Sequence, residues 1–270
     1  MTVQDIDRAI FDQDWAEWHR HHDAMLADPH GFLAITGRYW LSEEPQRFAD
    51  APGAWSADAG GVTVALDETE ELIVDGEPVH GEYSFGVIPE RGSINAVSGD
   101  AVIEVAKRGG YDIVRPRHPD HPLRVNFSGV PVFPAEPRWV VAGRFVPFGE
   151  PRAVTVGAVV EGLQHVYEAP GLIEFELGGQ TRRLTAFNGR APGSLNVLFT
   201  DATSGVTTYA ANRSLQVDPP DADGRVTVDF NRAVNLPCAY TDFATCPLPP
   251  AENRLPVAVE AGEKIPYERA

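Results

Sequence analysis

The chain is poor in cysteine and lysine, has no long apolar run and carries no excess of positive charge. Two cysteines among 270 residues, Cys238 and Cys246, rule out a disulfide framework, and in a reducing cytoplasm the default for such a pair is two thiols. With 22 basic residues against 39 acidic ones the formal charge is −17. That excludes nucleic acid and anionic membrane as partners, because a polyanion needs a basic face to bind. Lys107 and Lys264 are the only lysines, a skew that reads as a GC-rich genome or adaptation to salt rather than as a function. No segment reaches the roughly 20 apolar residues of a membrane span. Asp5, Asp7, Asp12, Asp14 and Glu17 fall where a signal peptide would need its apolar run, so the expected location is the cytoplasm. The Gly-x-Ser-x-Gly elbow, His-Glu-x-x-His, the phosphate-binding glycine loop and the dinucleotide fingerprint are all missing. No cofactor and no metal are expected.

The first periodic stretch is helical. Ile6, Ile10, Trp15, Trp18, His22 and Met25 recur every three to five residues and line one stripe, which Asp28-Pro29 ends. His19, His21 and His22 invite a metal reading, but residues one or two apart on a helix point in different directions. A solvated helix surface is the expectation. After Tyr39-Trp40-Leu41 the pattern alternates and stays alternating. Strands are predicted at 62–66, 72–74, 102–106, 111–115, 139–145, 154–160, 173–177, 181–184, 195–199 and 226–230, with turns at Asp75-Gly76, Gly109-Gly110 and Gly178-Gly179. Many short strands at about ten-residue spacing predict a mainly β fold, an antiparallel barrel or sandwich. The N-terminal helix (1–30) is expected to pack on one β domain (31–270). The proline-rich stretch Arg115–Pro122, with His118, Asp120 and His121, offers a loop within that domain or a boundary near 116–122.

The chain changes character again near its end. Prolines at 237, 247, 249, 250 and 256 impose irregular chain, and Cys238, Tyr240, Phe243, Leu248 and Leu255 require it to pack. Around it gather Asp201, Thr203, Ser204, Tyr209, Arg213, Asp229, Asn231, Tyr240, Glu252, Asn253, Arg254, Glu260 and Lys264. Carboxylates, amides, phenols and cations of this kind hold polar ligands or move protons. They also hydrogen-bond the unpaired backbone of proline-rich chain. The seven-residue gap between Cys238 and Cys246 fits neither a zinc knuckle nor a Cys-x-x-Cys redox centre.

Several of these segments run together as a signature. Phe199–Gly205 with Thr208-Tyr209, Asp229–Ala233 with Asn235–Tyr240, Cys246–Pro250 with Glu252–Leu255, and Ala261–Lys264 closely resemble the bacterial and archaeal domain-of-unknown-function family 1684. The resemblance extends back through Tyr39-Trp40-Leu41 and Gly143–Pro147. It carries the family pattern onto Asp201, Tyr209, Arg213, Asn231, Cys238, Tyr240, Cys246, Glu252 and Asn253, with departures at Thr200, Val234 and Leu236. It implies a kinship without a mechanism. The leading expectation is a small polar or anionic ligand in a β pocket closed by residues 231–264. Arg213 or Arg254 anchors the ligand, Asn231 and Asn253 orient it, Tyr240 covers it, and Tyr209 and Lys264 line the site. An enzyme of the hydrolase type using Glu252, Asp201, Glu260 or Cys238 is the alternative, and an interaction protein the third.

Overall fold

The computed structural model describes residues 7–269, so Ile6, the first position of the expected stripe, lies outside the described residues with the five before it. Two compact units divide the chain. The smaller comprises Ala24–Ser128 and Thr241–Thr245; the larger comprises Met1–Asp23, Gly129–Tyr240 and Cys246–Ala270.

Helix α1 (Arg8–Leu26) starts where Asp7 Oδ1 accepts the N–H groups of Ala9 at 2.9 Å and Ile10 at 3.3 Å, two donors that the first turn would otherwise leave bare. The expected stripe is corrected at its ends. Trp15, Trp18, His19 and His22 are half-buried, but Ile10 and Met25 are exposed, and the one buried residue of the helix is Leu26 at its end.

The smaller unit is a sandwich. One sheet has the order β1 (Tyr39–Trp40), β10 (Tyr111–Arg117), β9 (Ala101–Arg108), β8 (Ser93–Ser98), β5 (Leu72–Val74), β6 (Glu77–Val79). The other has β2 (Gln46–Phe48), β3 (Ala51–Asp58), β4 (Gly61–Ala65), β7 (Glu82–Gly86). Trp55, Val62 and Val64 from one sheet meet Leu72, Ile103, Val105 and Val114 from the other in a single core, the packing that makes two sheets stable face to face. Asp75-Gly76 and Gly109-Gly110 turn β5 into β6 and β9 into β10 with positive φ at both positions, as tight two-residue hairpins require. Glu104, 4% exposed, accepts Arg115 Nε at 3.0 Å and Nη2 at 2.7 Å, Arg117 Nη2 at 2.5 Å and Arg108 Nη2 at 3.0 Å. Burial opposes its ionisation, but Arg115 and Arg117 outweigh burial and hold the carboxyl at about 2. His118 Nδ1 accepts the Asp120 N–H at 3.2 Å, and His121 Nδ1 bonds the Leu33 carbonyl at 3.0 Å. Both lie on the turn into α2 (Pro122–Val125).

The larger unit is one coiled antiparallel sheet of order β16 (Arg225–Asp229), β11 (Val140–Gly157), β12 (Gln164–Leu177), β13 (Gln180–Asn188), β14 (Leu195–Phe199), β15 (Arg213–Val217), β17 (Val234–Asn235). The two strands predicted at 139–145 and 154–160 are a single strand, β11, bent by an irregularity between Pro147 and Arg152. Gly178-Gly179 turns β12 into β13, pairing Leu177 with Gln180. Val226 and Val228 of β16 share a core with Leu215 and Val217 of β15, yet among the described residues no ladder joins the sheet's two ends. The barrel is therefore not closed, and the mainly β, sandwich-like description is the one that holds. Leu255, Val259 and Ala261 of the irregular segment enter the same core. Among the described residues no helix is long and apolar enough to cross a membrane.

Candidate functional site

The proline-rich segment is held by side chains that answer its backbone. Asn253, wholly buried, accepts the Thr185 N–H at 2.7 Å through Oδ1 and donates Nδ2 to the Thr185 and Leu198 carbonyls at 2.9 and 2.8 Å. Glu252 Oε1 accepts the Thr185 hydroxyl at 2.9 Å, and the main chains of Thr200 and Leu255 bond at 2.8 Å. Residues 252–255 are thus pinned against β13 and β14. Asn253→Ala strands three buried backbone groups, which sets an expected loss of about 2–3 kcal/mol for the larger unit. Chemical denaturation will read it, with Asn253→Asp, which sets an unpaired buried carboxylate against the Thr185 and Leu198 carbonyls, losing at least as much at neutral pH.

Arg213 has the same office on the other side of the sheet's end. Its side chain is 1% exposed. Nη2 donates to Asp201 Oδ2 at 2.5 Å and to the Val259 carbonyl at 3.0 Å, and Nη1 donates to the Ala261 carbonyl. Burial lowers its pKa, and Asp201 opposes that shift. Asp201 Oδ1 in turn accepts the N–H and hydroxyl of Thr203, both at 2.5 Å. Asn231 bonds both polar groups of the Glu136 peptide at 2.9 and 3.0 Å, and its carbonyl accepts Trp15 Nε1 at 3.0 Å, tying α1 to the sheet. Asp229 Oδ1 takes Asn231 Nδ2 at 2.8 Å; its pKa is raised by burial against that bond.

A third centre was not read from sequence. Gly262, at φ +73 and with the Ala233 carbonyl where a Cβ would stand, lets the chain turn Glu263 inward. Its carboxylate, 1% exposed, meets His22 Nε2 at 2.8 Å, the Asn235 N–H at 2.5 Å and the Tyr240 hydroxyl at 3.4 Å. Burial first, then the Glu263 charge, raises the Tyr240 phenol. The ring of His22 stacks on Trp18 at 5.4 Å. This corrects the solvated-surface expectation for His19 and His22: both are half-buried, and His21 alone of the three is exposed. Glu263 stood within the quoted Ala261–Lys264 signature. His22 shares the Trp18 face by spacing, but no local pattern points to a partner so distant in the chain.

Cys238 and Cys246 are buried thiols. The Cys238 N–H donates to Cys246 Sγ at 3.3 Å. The hydrogen bond between the two thiols, followed by burial, pushes Cys238 up; burial, then Cys238, pushes the Tyr209 phenol up to about 12. Lys264 lies with Nζ 4.6 Å from the Phe133 ring centre and accepts Asn235 Nδ2 at its carbonyl. Glu260 is exposed. Among the described residues no group of three or more His, Cys, Asp or Glu is placed to hold a metal ion.

One concavity lies beside these anchors. A solvent-facing groove of about 420 Å³ is lined by Thr181, Arg182 and Arg183 of β13 and by Arg254, Leu255 and Pro256. Arg183 pairs with Glu174 at 2.8 Å. Arg182 Nε is buried without a hydrogen-bond partner among the described residues. Arg182 and Arg183 are ordinary strand positions in sequence, and only the docking of residues 252–255 on β13 brings Arg254 to them.

An antiparallel sheet carrying a pinned, proline-rich closing segment is what these residues define. Residues 125–264 match the family described as protein of unknown function (DUF1684), and the chain belongs to that family. The solution NMR structure of an uncharacterized protein from Haloarcula marismortui is 33% identical to it, covering 52% of this chain and 78% of that one with a TM-score of 0.44. No curated protein matches the chain.

Proposed function

We propose that the larger unit binds a small anionic molecule in the groove between β13 and Arg254. One observation carries the reading: Arg182, Arg183 and Arg254 line a single groove in a chain with 22 basic residues and 39 acidic ones. Guanidinium groups offer paired donors that fit a carboxylate or a phosphate bidentately. Of the two arginines that sequence put forward as anchors, Arg213 has its donors committed to Asp201 and the 259–261 carbonyls. Arg254 is exposed. Asn253 acts in this reading by fixing the segment that carries Arg254, while the Asn231 side chain is taken up by the Glu136 main chain and Asp229.

An exposed site of this kind is weak and salt-sensitive. Calorimetric titration with a panel of phosphates and di- and tricarboxylates at low salt tests it. The best anion is expected to lose about tenfold or more in affinity, roughly 1.4 kcal/mol, on Arg254→Ala, while the melting temperature stays within a degree or two. Equal affinity in wild type and variant sinks the reading.

A second reading, proton-transfer chemistry, is favoured by the buried Glu263 carboxylate that orients His22. A histidine so held is the usual form of a general base. If it is right, turnover found by substrate screening falls on His22→Gln and survives Arg254→Ala.

A further inference from the structure

We infer that Cys238 and Cys246 form a reversible clasp: a dithiol that low-molecular-weight disulfides oxidise to an intramolecular disulfide, closing the loop 239–245. The argument rests on where the pair stands. The chain leaves the larger unit after Tyr240 and re-enters it at Cys246, and Thr241–Thr245 between them belong to the smaller unit. The two cysteines therefore stand at the two ends of this excursion.

Within the smaller unit the excursion is held by Arg38 Nη1, which donates to the Asp242 and Ala244 carbonyls at 3.2 and 2.9 Å. At its base the Cys238 N–H reaches Cys246 Sγ at 3.3 Å. Thiols held this close react with each other at a high effective concentration once one of them is activated. The spacing is too long for a Cys-x-x-Cys centre, yet the fold supplies the proximity that the spacing does not.

The chemistry balances in two exchanges. One cysteine thiolate attacks an external disulfide R–S–S–R, giving a mixed disulfide and releasing R–SH. The other cysteine then attacks the protein sulfur of that mixed disulfide, forming the Cys238–Cys246 bond and releasing a second R–SH. Two S–H bonds are lost from the protein, and the two electrons reside in the two R–SH molecules. Both sulfurs are buried, so the first attack waits for the loop to open. The disulfide then constrains a ring of nine residues, which by loop-closure entropy favours the folded state by roughly 100-fold.

The test equilibrates native wild-type protein with graded mixtures of oxidised and reduced glutathione, then traps thiols under acid. The expected product is a monomer lighter by the mass of two hydrogens, with no thiol left to alkylate and slowed amide hydrogen exchange over 239–245. Cys238→Ser and Cys246→Ser each hold one thiol and are expected to give at most the glutathione adduct. Retention of both thiols across the whole series overturns the inference, as does a product limited to glutathione adducts or disulfide-linked dimers. A disulfide that forms without slowing exchange in 239–245 overturns the clasp. The wild-type series decides these outcomes even if a serine variant folds poorly.

Discussion

Replacing Arg213 with Met lowers the unfolding free energy of the larger unit by about 3–5 kcal/mol, the range found when one partner of a buried ion pair is removed. The size follows from what remains behind. Asp201 loses its ion-pair partner in a place where a lone carboxylate is unsolvated, and the Val259 and Ala261 carbonyls lose their Arg213 donors. The double variant Arg213→Met/Asp201→Asn separates the two contributions. Removing the charge with its partner recovers the uncompensated-charge share, and about 1–3 kcal/mol stays lost for the bare carbonyls. Denaturant midpoints of the four proteins in the cycle measure this directly. A single variant within about 1 kcal/mol of wild type would restore Arg213 as a ligand anchor rather than a strut.

That contrast explains how much of the site was legible. The residue types were readable: Asp201, Arg213, Asn231, Glu252 and Asn253 all fall around the closing segment, where proline-rich chain needs partners for its peptide groups. Whether such residues face a ligand or a carbonyl is set by geometry, since an Asn that grips Thr185 and one that grips a carboxylate are the same letter. His22 and Glu263 meet only because Gly262 turns the chain under α1. Arg182 and Arg183 gain Arg254 only through docking on β13. None of these adjacencies has a local signature.

The fold was legible where turns are short. Asp75-Gly76, Gly109-Gly110 and Gly178-Gly179 each take positive φ at both positions, a demand that glycine and its neighbours announce in sequence. Strand continuity was less so. Phe148 to Arg152 reads as a break because it holds Gly149 and Pro151, yet β11 runs through it with one irregularity, since a bulge absorbs what a flat ladder cannot. Barrel closure is likewise a property of how far a sheet coils, and alternation alone does not encode it.

Glu104→Gln is expected to match Arg213→Met in size, and its pH dependence identifies the cause. The folded carboxyl sits at about 2 against the ordinary value of 4.5. The shift is downward, so its stabilisation is fully present above pH 4.5 and disappears as pH falls toward about 2. A shift of this size corresponds to about 3 kcal/mol, and at 4% exposure solvent screening takes little from it. Wild type will therefore lose stability in the smaller unit across that window. In Glu104→Gln the amide cannot ionise, and its Nε2 faces a donor of Arg115 together with one from either Arg108 or Arg117, depending on which oxygen it replaces. It should begin about 3–5 kcal/mol lower at neutral pH and show a shallower slope between pH 4.5 and 2. Equal slopes for the two proteins would mean that other carboxylates govern acid unfolding. Arg117→Met, which removes one of three guanidinium partners and leaves two, should move the lower edge of the window upward and cost less stability at neutral pH than Glu104→Gln, because Arg115 alone still binds both carboxylate oxygens.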